Sequence, residues 1–342
     1  MITFTSEITL LFLQTKMEII DFCDSKAILL TDPVKKKNLF KELRVRWNNY
    51  EYNTFPGSQP VSIERVHLEK ISKNPYWVCE KSDGMRFLFV CTRYENVPYC
   101  FLVDRKQDMY MLNFEMISNA FDGTILDGEL VKNNTTNRYE YLVYDSTIVF
   151  GESTTTLSHS ERMKCAIDVV YNIKYDNSNT PFQVRLKEFY PLAEFESYVR
   201  DIVPTIGHAI DGYIFTPENE TVKSGTHFTM YKWKELKKNT VDFLVEKNRY
   251  KPREYIIKIA KGRTLKTLFG NTIQVIPGSE TERLICKGES TVVECEYVSP
   301  NCWLALFVRT DKTRPNSYLT WTKTLLNIEE DIQLKEFFLI KG

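Results

Sequence analysis

The sequence carries no net charge: 45 Lys and Arg balance 45 Asp and Glu across 342 residues. That balance rules out a cationic surface spread over the whole molecule, so any nucleic-acid site has to be a local patch. Histidine is scarce, with residues only at 67, 159, 208 and 227, and none of the eight cysteines forms a CxxC pair. This spacing argues against both a zinc site and a disulfide framework. The cysteines read instead as buried free thiols in a reducing compartment. Long apolar runs are missing too. Ile8 to Leu13 is too short for a membrane span and lacks the basic flank of a signal peptide. There is no internal repeat and no low-complexity segment. The expectation is an intracellular protein, nuclear or cytoplasmic, with no membrane partner.

What is present is an ordinary globular mix, 43% apolar and 26% charged, with 21 Phe, 19 Tyr and 5 Trp. The length suits two domains. One stretch organises the reading: Glu80-Lys81-Ser82-Asp83-Gly84-Met85-Arg86, flanked by the strand-like runs Tyr76–Cys79 and Phe87–Val90. A lysine at a strand end can be desolvated, and flanking cations favour its neutral, nucleophilic amine. Arg86 follows five residues on, and its fork matches phosphate oxygens. Read alone, the Asp-Gly step is equally a β-hairpin turn.

The chain on either side is strand upon strand. Val34–Trp47 reads as a basic helix, and Phe55–Ser62 as a loop stiffened by two prolines. Strands follow at Tyr99–Val103, Thr124–Leu126 and Tyr139–Tyr144, the last closed by Asp145. Ser158–Tyr171 reads as a helix, Phe182–Tyr190 contains Lys187, and Leu192–Ile202 is again helical. Ile210–Pro217 is a strand with acid at its start. In Met230–Lys234, period two puts Lys232 and Lys234 on one face, either as a functional pair or as the guard of an edge strand. From Asn239 on, short strands at Val241–Val245, Tyr255–Ile259, Thr291–Tyr297 and Trp303–Arg309 suggest a small β-barrel of the OB type. Leu319–Phe338 has helical spacing.

In order, the polar strand ends read KSDGMR, DRK, DGELV, DGYIF, KWK and RTDKTRPN. This ordered set resembles the covalent nucleotidyltransferase superfamily, which holds the mRNA-capping guanylyltransferases and the ATP-dependent polynucleotide ligases. The match runs over roughly residues 55 to 320. Details favour the capping branch: FPGSQPVS, the DRK form of the third element, NTVDFLV, VECEY, and an RxDKxxPN ending at Asn316. Ser82 stands where that family usually has threonine.

The resemblance implies an α+β fold: a ligase-like nucleotidyltransferase domain with antiparallel sheets and a cleft, plus a C-terminal OB-fold barrel. The expected boundaries are 1–50 as a lead segment of the first domain, 51–238 as the nucleotidyltransferase domain, 239–318 as the OB-fold, and 319–342 as a tail helix packing back on the first domain. It implies that Lys81 attacks GTP and carries GMP to the 5′-diphosphate end of RNA. Lys232 and Lys234 would face the α-phosphate, and Arg86 and Arg105 would grip ribose and phosphate. Tyr144 would stack on the purine and Lys187 would read its O6. Arg309, Asp311 and Lys312 would meet the outer phosphates, while Glu129 and Asp211 would hold Mg²⁺ or Mn²⁺. Separate chains would supply the RNA triphosphatase and the cap methyltransferase, with RNA polymerase as a further partner. The compact form resembles the enzymes of large DNA viruses and yeasts. Two other readings stay open on sequence: an ATP-dependent ligase, and an inactive module that binds RNA through its barrel.

Overall fold

The computed structural model describes residues 17–46, 55–174, 180–251, 254–288, 290–310 and 312–340. The chain forms two compact units. The first contains the described residues up to Val61 together with Ile71–Lys232, and the second contains Ser62–Lys70 with Trp233–Leu339. The elements are mixed helix and mostly antiparallel strand, the α+β class read from the sequence.

Two sheets build the first unit. Among the described residues the larger has nine strands, in the order β1 (Met17–Phe22), β2 (Ser25–Leu30), β7 (Met109–Leu112), β6 (Val97–Val103), β5 (Met85–Tyr94), β8 (Thr124–Asn133), β9 (Arg138–Val149) and β10 (Glu152–Ser153), with β11 (Gln183–Leu186) parallel to β9. Its centre is buried on both faces, which is why β5 reads as an unbroken apolar run. Phe87, Phe89 and Cys91 point into one core, which also takes Ala166, Val169 and Val170 of helix α3 (His159–Tyr171). The alternate residues Leu88 and Val90 point into a second core with Leu39 of helix α1 (Pro33–Arg46). Helix α2 (Arg65–Lys73) falls between α1 and α3 in chain order, and the boundary between the two units runs through it. Ser158 caps α3 in a capping box with Glu161.

The smaller sheet runs β12 (Tyr190–Pro191), β4 (Tyr76–Ser82), β13 (Ile210–Pro217), β14 (Gly225–Trp233), β3 (Ser58–Ser62). Strand β4 thus belongs to one sheet and β5 to the other. Asp83-Gly84 is a step between sheets, not a hairpin turn, because β4 pairs with β13 and β12 while β5 pairs with β6 and β8. Two other expectations also change. Strand β9 does not stop at Asp145 but runs on to Val149, because the buried Arg162 fork neutralises that carboxylate at 2.6 and 3.0 Å. And β14 is flanked by β13 and β3, so it is no edge strand; it ends at Trp233, one residue short of Lys234.

The second unit is built on a six-stranded sheet, β17 (Thr264–Thr267), β16 (Tyr255–Lys261), β15 (Thr240–Lys247), β19 (Thr291–Ser299), β20 (Cys302–Val308), β18 (Thr272–Gln274). Among the described residues no pairing joins its first strand to its last, so the barrel of the OB type is not closed by hydrogen bonds there. Phe243, Ile257, Val293 and Trp303 fill its core under helix α4 (Glu280–Lys287). The tail forms two helices, α5 (Tyr318–Glu330) and α6 (Leu334–Phe338). It is tied to the segment ahead of α2: Asn327 donates to the Ile63 carbonyl, Lys323 pairs with Glu64, and Arg65 pairs with Glu336 at 2.8 Å. Ser62–Lys70 lies in the second unit with the tail.

Gly128 shows how tightly the larger sheet is closed near its polar end. A Cβ there would lie 2.6 Å from the Leu142 carbonyl oxygen and 2.6 Å from the Tyr141 ring. That ring cannot yield freely, because its hydroxyl donates to the carbonyls of Phe87 and Leu126 at 2.8 and 3.1 Å. Gly128→Ala is expected to destabilise the protein by about 1–3 kcal/mol. An unchanged Tm on thermal unfolding of the intact chain would show that the backbone has room there.

Candidate active site

A cleft opens between the two sheets of the first unit. One wall comes from β3, β4, β13 and β14, and the other from β5, β8 and β9, with Arg105, Lys187 and Phe189 at its margins. Lys81, Arg86, Arg105, Glu129, Tyr144 and Lys187 all line it. The step from β4 to β5 is what delivers Lys81 and Arg86 to opposite walls.

Two β-bulges shape the polar floor. In β13 the register shifts between Ile210 and Tyr213, so Asp211-Gly212 together face Lys81. Gly212 takes φ 133°, a backbone that side chains rarely tolerate. The bulge turns Asp211 onto the lysine, with Lys81 Nζ 2.8 Å from Asp211 Oδ2. The lysine is therefore paired with an acid rather than desolvated alone among cations. In β9 the register shifts opposite Asp127-Gly128, leaving Tyr144 as the extra residue at the cleft wall.

Arg86 is buried, and its fork is already engaged. Nε and Nη2 donate to Asp127 at 2.9 and 2.5 Å, and Nη1 donates to the Ser58 carbonyl at 2.8 Å. The guanidinium lies over the rings of Phe55 and Tyr144, 5.0 and 5.6 Å from their centroids. Tyr144 Oη also donates to Asp127, at 2.9 Å. Arg86 thus anchors this wall from within.

Behind Lys81 lies a second buried cluster. Lys187 Nζ donates to Ser82 Oγ at 2.6 Å and pairs with Glu80 Oε1 at 3.0 Å. Glu80 also accepts from Tyr198 at 2.7 Å, and His208 Nε2 stands 3.3 Å away. Burial works to raise the Glu80 carboxyl, but the Lys187 ammonium and these hydrogen bonds outweigh it and hold the group at about 2. Burial works to lower Lys187, and Glu80 more than compensates, lifting it above the ordinary lysine range. The buried ammonium stays charged. It has three donors, and Ser82 and Glu80 occupy two.

Glu129 differs from its neighbours. Burial lifts its carboxyl above the usual range, against the pull of Arg86, Lys187, Lys81 and Arg105. Among the described residues no hydrogen bond reaches it. Arg105 is exposed at the cleft margin and forms no ion pair among the described residues. Lys232 lies on the same face of β14 as Met230, which lines the cleft. Lys234 follows the strand and falls in the second unit.

In the second unit the acids of the two strand motifs hold the RxDKxxPN segment. Arg309 Nη1 is 3.3 Å from Asp242 Oδ1 and 2.9 Å from Glu294 Oε2, and Lys312 pairs with Asp242. Asn316 binds the same carboxylate at 3.2 Å and accepts from the Asp242 backbone at 2.9 Å. Asp311 lies outside the described residues. Sequence reasoning did not assign Glu80, Asp127, His208, Tyr198, Asp242 or Glu294. For Glu80, Asp127, Asp242 and Glu294 the signal was present, since each sits inside a stretch singled out in the sequence. For Tyr198 and His208 there was none.

The model of the mRNA capping enzyme catalytic domain matches residues 23–236, and that of the mRNA capping enzyme C-terminal domain matches residues 238–338. The chain belongs to the mRNA capping enzyme family. It is a nucleotidyltransferase of the GTP:RNA guanylyltransferase type rather than a ligase. The mRNA-capping enzyme subunit alpha of Schizosaccharomyces pombe is 29% identical over 328 residues, 84% of this chain and 81% of that protein. Its Saccharomyces cerevisiae namesake is 33% identical over 56% of this chain and 47% of its own length, and the mRNA-capping enzyme of Danio rerio is 25% identical over 86% and 50%. The chain thus spans about half the length of these last two relatives. Among solved structures, a mycobacterial DNA ligase D complexed with ATP and MES aligns at TM-score 0.41 and 13% identity, over 77% of this chain and 97% of that one, too loosely to add to the assignment.

The Glu80 cluster has a stated pH signature. Its carboxyl is held at about 2, below the usual 4.5, so its contribution is fully present above about pH 4.5 and fades as the pH falls toward 2. Glu80→Gln is expected to lower Tm near neutral pH, and the gap from the parent should narrow as the pH drops from about 5 to about 3. A gap of constant size across that range would remove the ionised Glu80 from the account.

Proposed function

We propose that Lys81 is the residue that carries GMP, and that this cleft performs both halves of guanylyl transfer. The observation that carries the proposal is the placement of Lys81: at the end of β4, in the cleft, with its Nζ 2.8 Å from Asp211 Oδ2. In the first half, a proton leaves Nζ, the Nζ–phosphorus bond to the α-phosphate of GTP forms, and the bond to the bridging oxygen breaks, releasing pyrophosphate. Asp211 Oδ2 is within reach of that proton. In the second half, a 5′-diphosphate oxygen of RNA attacks the same phosphorus, the P–N bond breaks, and Lys81 regains its proton. Positioning and charge neutralisation do most of the work in such transfers.

Glu129 and Asp211 suit a divalent metal. One carboxylate has no hydrogen-bond donor among the described residues and the other faces an ammonium that can be displaced. Two carboxylates plus phosphate oxygens and water are the donors that Mg²⁺ or Mn²⁺ takes. A bound cation would neutralise phosphate charge and compete with Lys81 for Asp211. No three acidic, His or Cys side chains converge as a closed cage among the described residues. Arg105 is placed to meet phosphate. Arg86 acts through Asp127, fixing Tyr144 and the Ser58 loop that frame the nucleotide. Within the second unit, Arg309 and Lys312, held by Asp242, suit phosphate oxygens. The yeast relatives are named subunit alpha; for this chain, a separate triphosphatase and a methyltransferase complete the proposal.

The first test is incubation with α-labelled GTP and Mg²⁺ or Mn²⁺, followed by denaturing electrophoresis and peptide mapping. Label should map to Lys81, break in acid as a P–N bond does, and reverse with pyrophosphate. Lys81→Arg should abolish it, because a guanidinium stays protonated. Label on another residue, or label from ATP in preference to GTP, would overturn the assignment.

A second test concerns base selection. Lys187 keeps one donor beyond Ser82 and Glu80, and guanine O6 is an acceptor that adenine lacks. Lys187→Ala should therefore erode the preference for GTP over ATP in adduct formation, as well as the rate. Full retention of that preference would place the selecting group elsewhere.

A further inference from the structure

The second unit carries a charge asymmetry that the cleft does not use. Residues 247–266 contain eight basic side chains and one acid, in a chain whose total charge is zero. The stretch covers the end of β15, all of β16 and most of β17. Two of its cations are spent locally: Lys258 binds both oxygens of Glu246 at 2.7 Å, and Lys251 pairs with Glu254 at 3.3 Å. Lys266 lies over the Tyr318 ring, 4.4 Å from its centroid. Lys247, Arg249, Lys261 and Arg263 are exposed and form no ion pair among the described residues.

Two aromatic rings accompany this charge. Tyr250 is 93% exposed and Phe269 is 90% exposed. Neither belongs to the core. The Tyr250 turn is built: Asn248 Oδ1 accepts from the Tyr250 and Lys251 amides at 3.0 and 3.3 Å, and the Asn248 amide donates to the Glu254 carbonyl at 3.0 Å. Register brings the rings to one end of the sheet. Lys247 faces Tyr255 across β15 and β16, and the Leu268 amide donates to the Ile257 carbonyl at 2.9 Å, so Phe269 leaves β17 at the end where the Tyr250 turn begins. Lys261 and Arg263 flank the turn at the opposite end, beyond the Lys261–Thr264 pair. At about 3.4 Å per residue, the length of β16 separates these ends by about 20 Å. β17 is also the outer strand of the sheet.

We propose that this edge, from the Tyr250 turn and Phe269 to the Lys261–Arg263 turn, is a binding surface for single-stranded RNA. Exposed rings offer stacking faces for bases, and unneutralised cations track the phosphates; together they suit a single strand with no sequence preference. An acidic peptide would use the charge but leave the two rings without a role. The proposal rests on RNA being the acceptor of guanylyl transfer, and it adds a contact away from the reacting end.

The test reads binding without chemistry. A fluorescent, unstructured oligoadenylate with a 5′-hydroxyl end is titrated with the full chain by anisotropy, without GTP, at several salt concentrations. The double substitution Tyr250→Ala, Phe269→Ala should weaken binding by about 5- to 150-fold for each ring removed. Lys261→Gln with Arg263→Gln should lower the salt slope by about 0.7 per charge removed. All four side chains are exposed, so Tm should be unchanged. Parent affinity and slope in both variants, or no binding by the parent, would overturn the proposal. So would a phosphoserine peptide whose binding needs the two rings while RNA binding does not. Lysine–GMP formation is measured in parallel: its absence in the parent would count against guanylyl transfer and leave the RNA result readable.

Discussion

The first unit depends on one buried ion pair. Arg86 and Asp127 lie on adjacent strands, and each side chain is only 5% exposed. Two charges removed from water at that depth persist only when they satisfy each other, because losing one partner strands the other in a low dielectric. The pair sits where β5 enters the larger sheet directly after the step from the smaller one. Its remaining bonds fix the Ser58 carbonyl and the Tyr144 hydroxyl, and its flat faces carry Phe55 and Tyr144. One guanidinium thus ties together both walls of the cleft and the Phe55 segment ahead of β3.

Lys81 sits between that pair and the Glu80–Lys187 pair, and differs from both. Arg86 and Lys187 are buried with their carboxylates, whereas Lys81 remains a quarter exposed and Asp211 nearly a fifth. A half-open pair gains little from Coulomb attraction in a high dielectric and is easily exchanged for another partner. The buried pairs hold a shape, and the open pair keeps an amine at the cleft without committing it. The two β-bulges sharpen that division, since each turns a side chain into the cleft at a point where regular pairing would direct it elsewhere.

This also explains what could be read in the sequence. Strand ends bearing Lys, Asp-Gly-Glu and Asp-Gly identified the cleft residues because polar groups at the ends of apolar runs have few other uses. The ordering of these motifs carried the family. Partners were less visible. The Arg86 fork looked like a phosphate ligand, and only the folded sheet, where Asp127 lies diagonally across from it on β8, shows its partner. The Asp-Gly step looked like a hairpin, because local turn chemistry is silent about which sheet the next strand joins. Tyr198 and His208 reach Glu80 from more than a hundred residues away, a distance that no periodicity spans. The barrel was read from a succession of short strands, and that succession does not determine whether the sheet closes.

The same accounting distinguishes the cations of the second unit. Arg309 and Lys312 are gathered by one buried carboxylate, Asp242, which also binds Asn316; the segment is thus held in a defined shape before any phosphate arrives. That arrangement costs little to reuse, because a phosphate can share donors already oriented, much as preorganised sites avoid paying reorganisation at the moment of reaction. Lys247, Arg249, Lys261 and Arg263 have no such holder among the described residues. Long side chains left in water keep their rotamer freedom and lose it only on contact. They suit a loosely held polymer whose phosphates arrive at variable positions, and would serve poorly for a small ligand that must be placed to within a fraction of an ångström. Held cations in one segment and cations without ion pairs in another, among the described residues, follow from where the acids fall along a chain whose charges sum to zero.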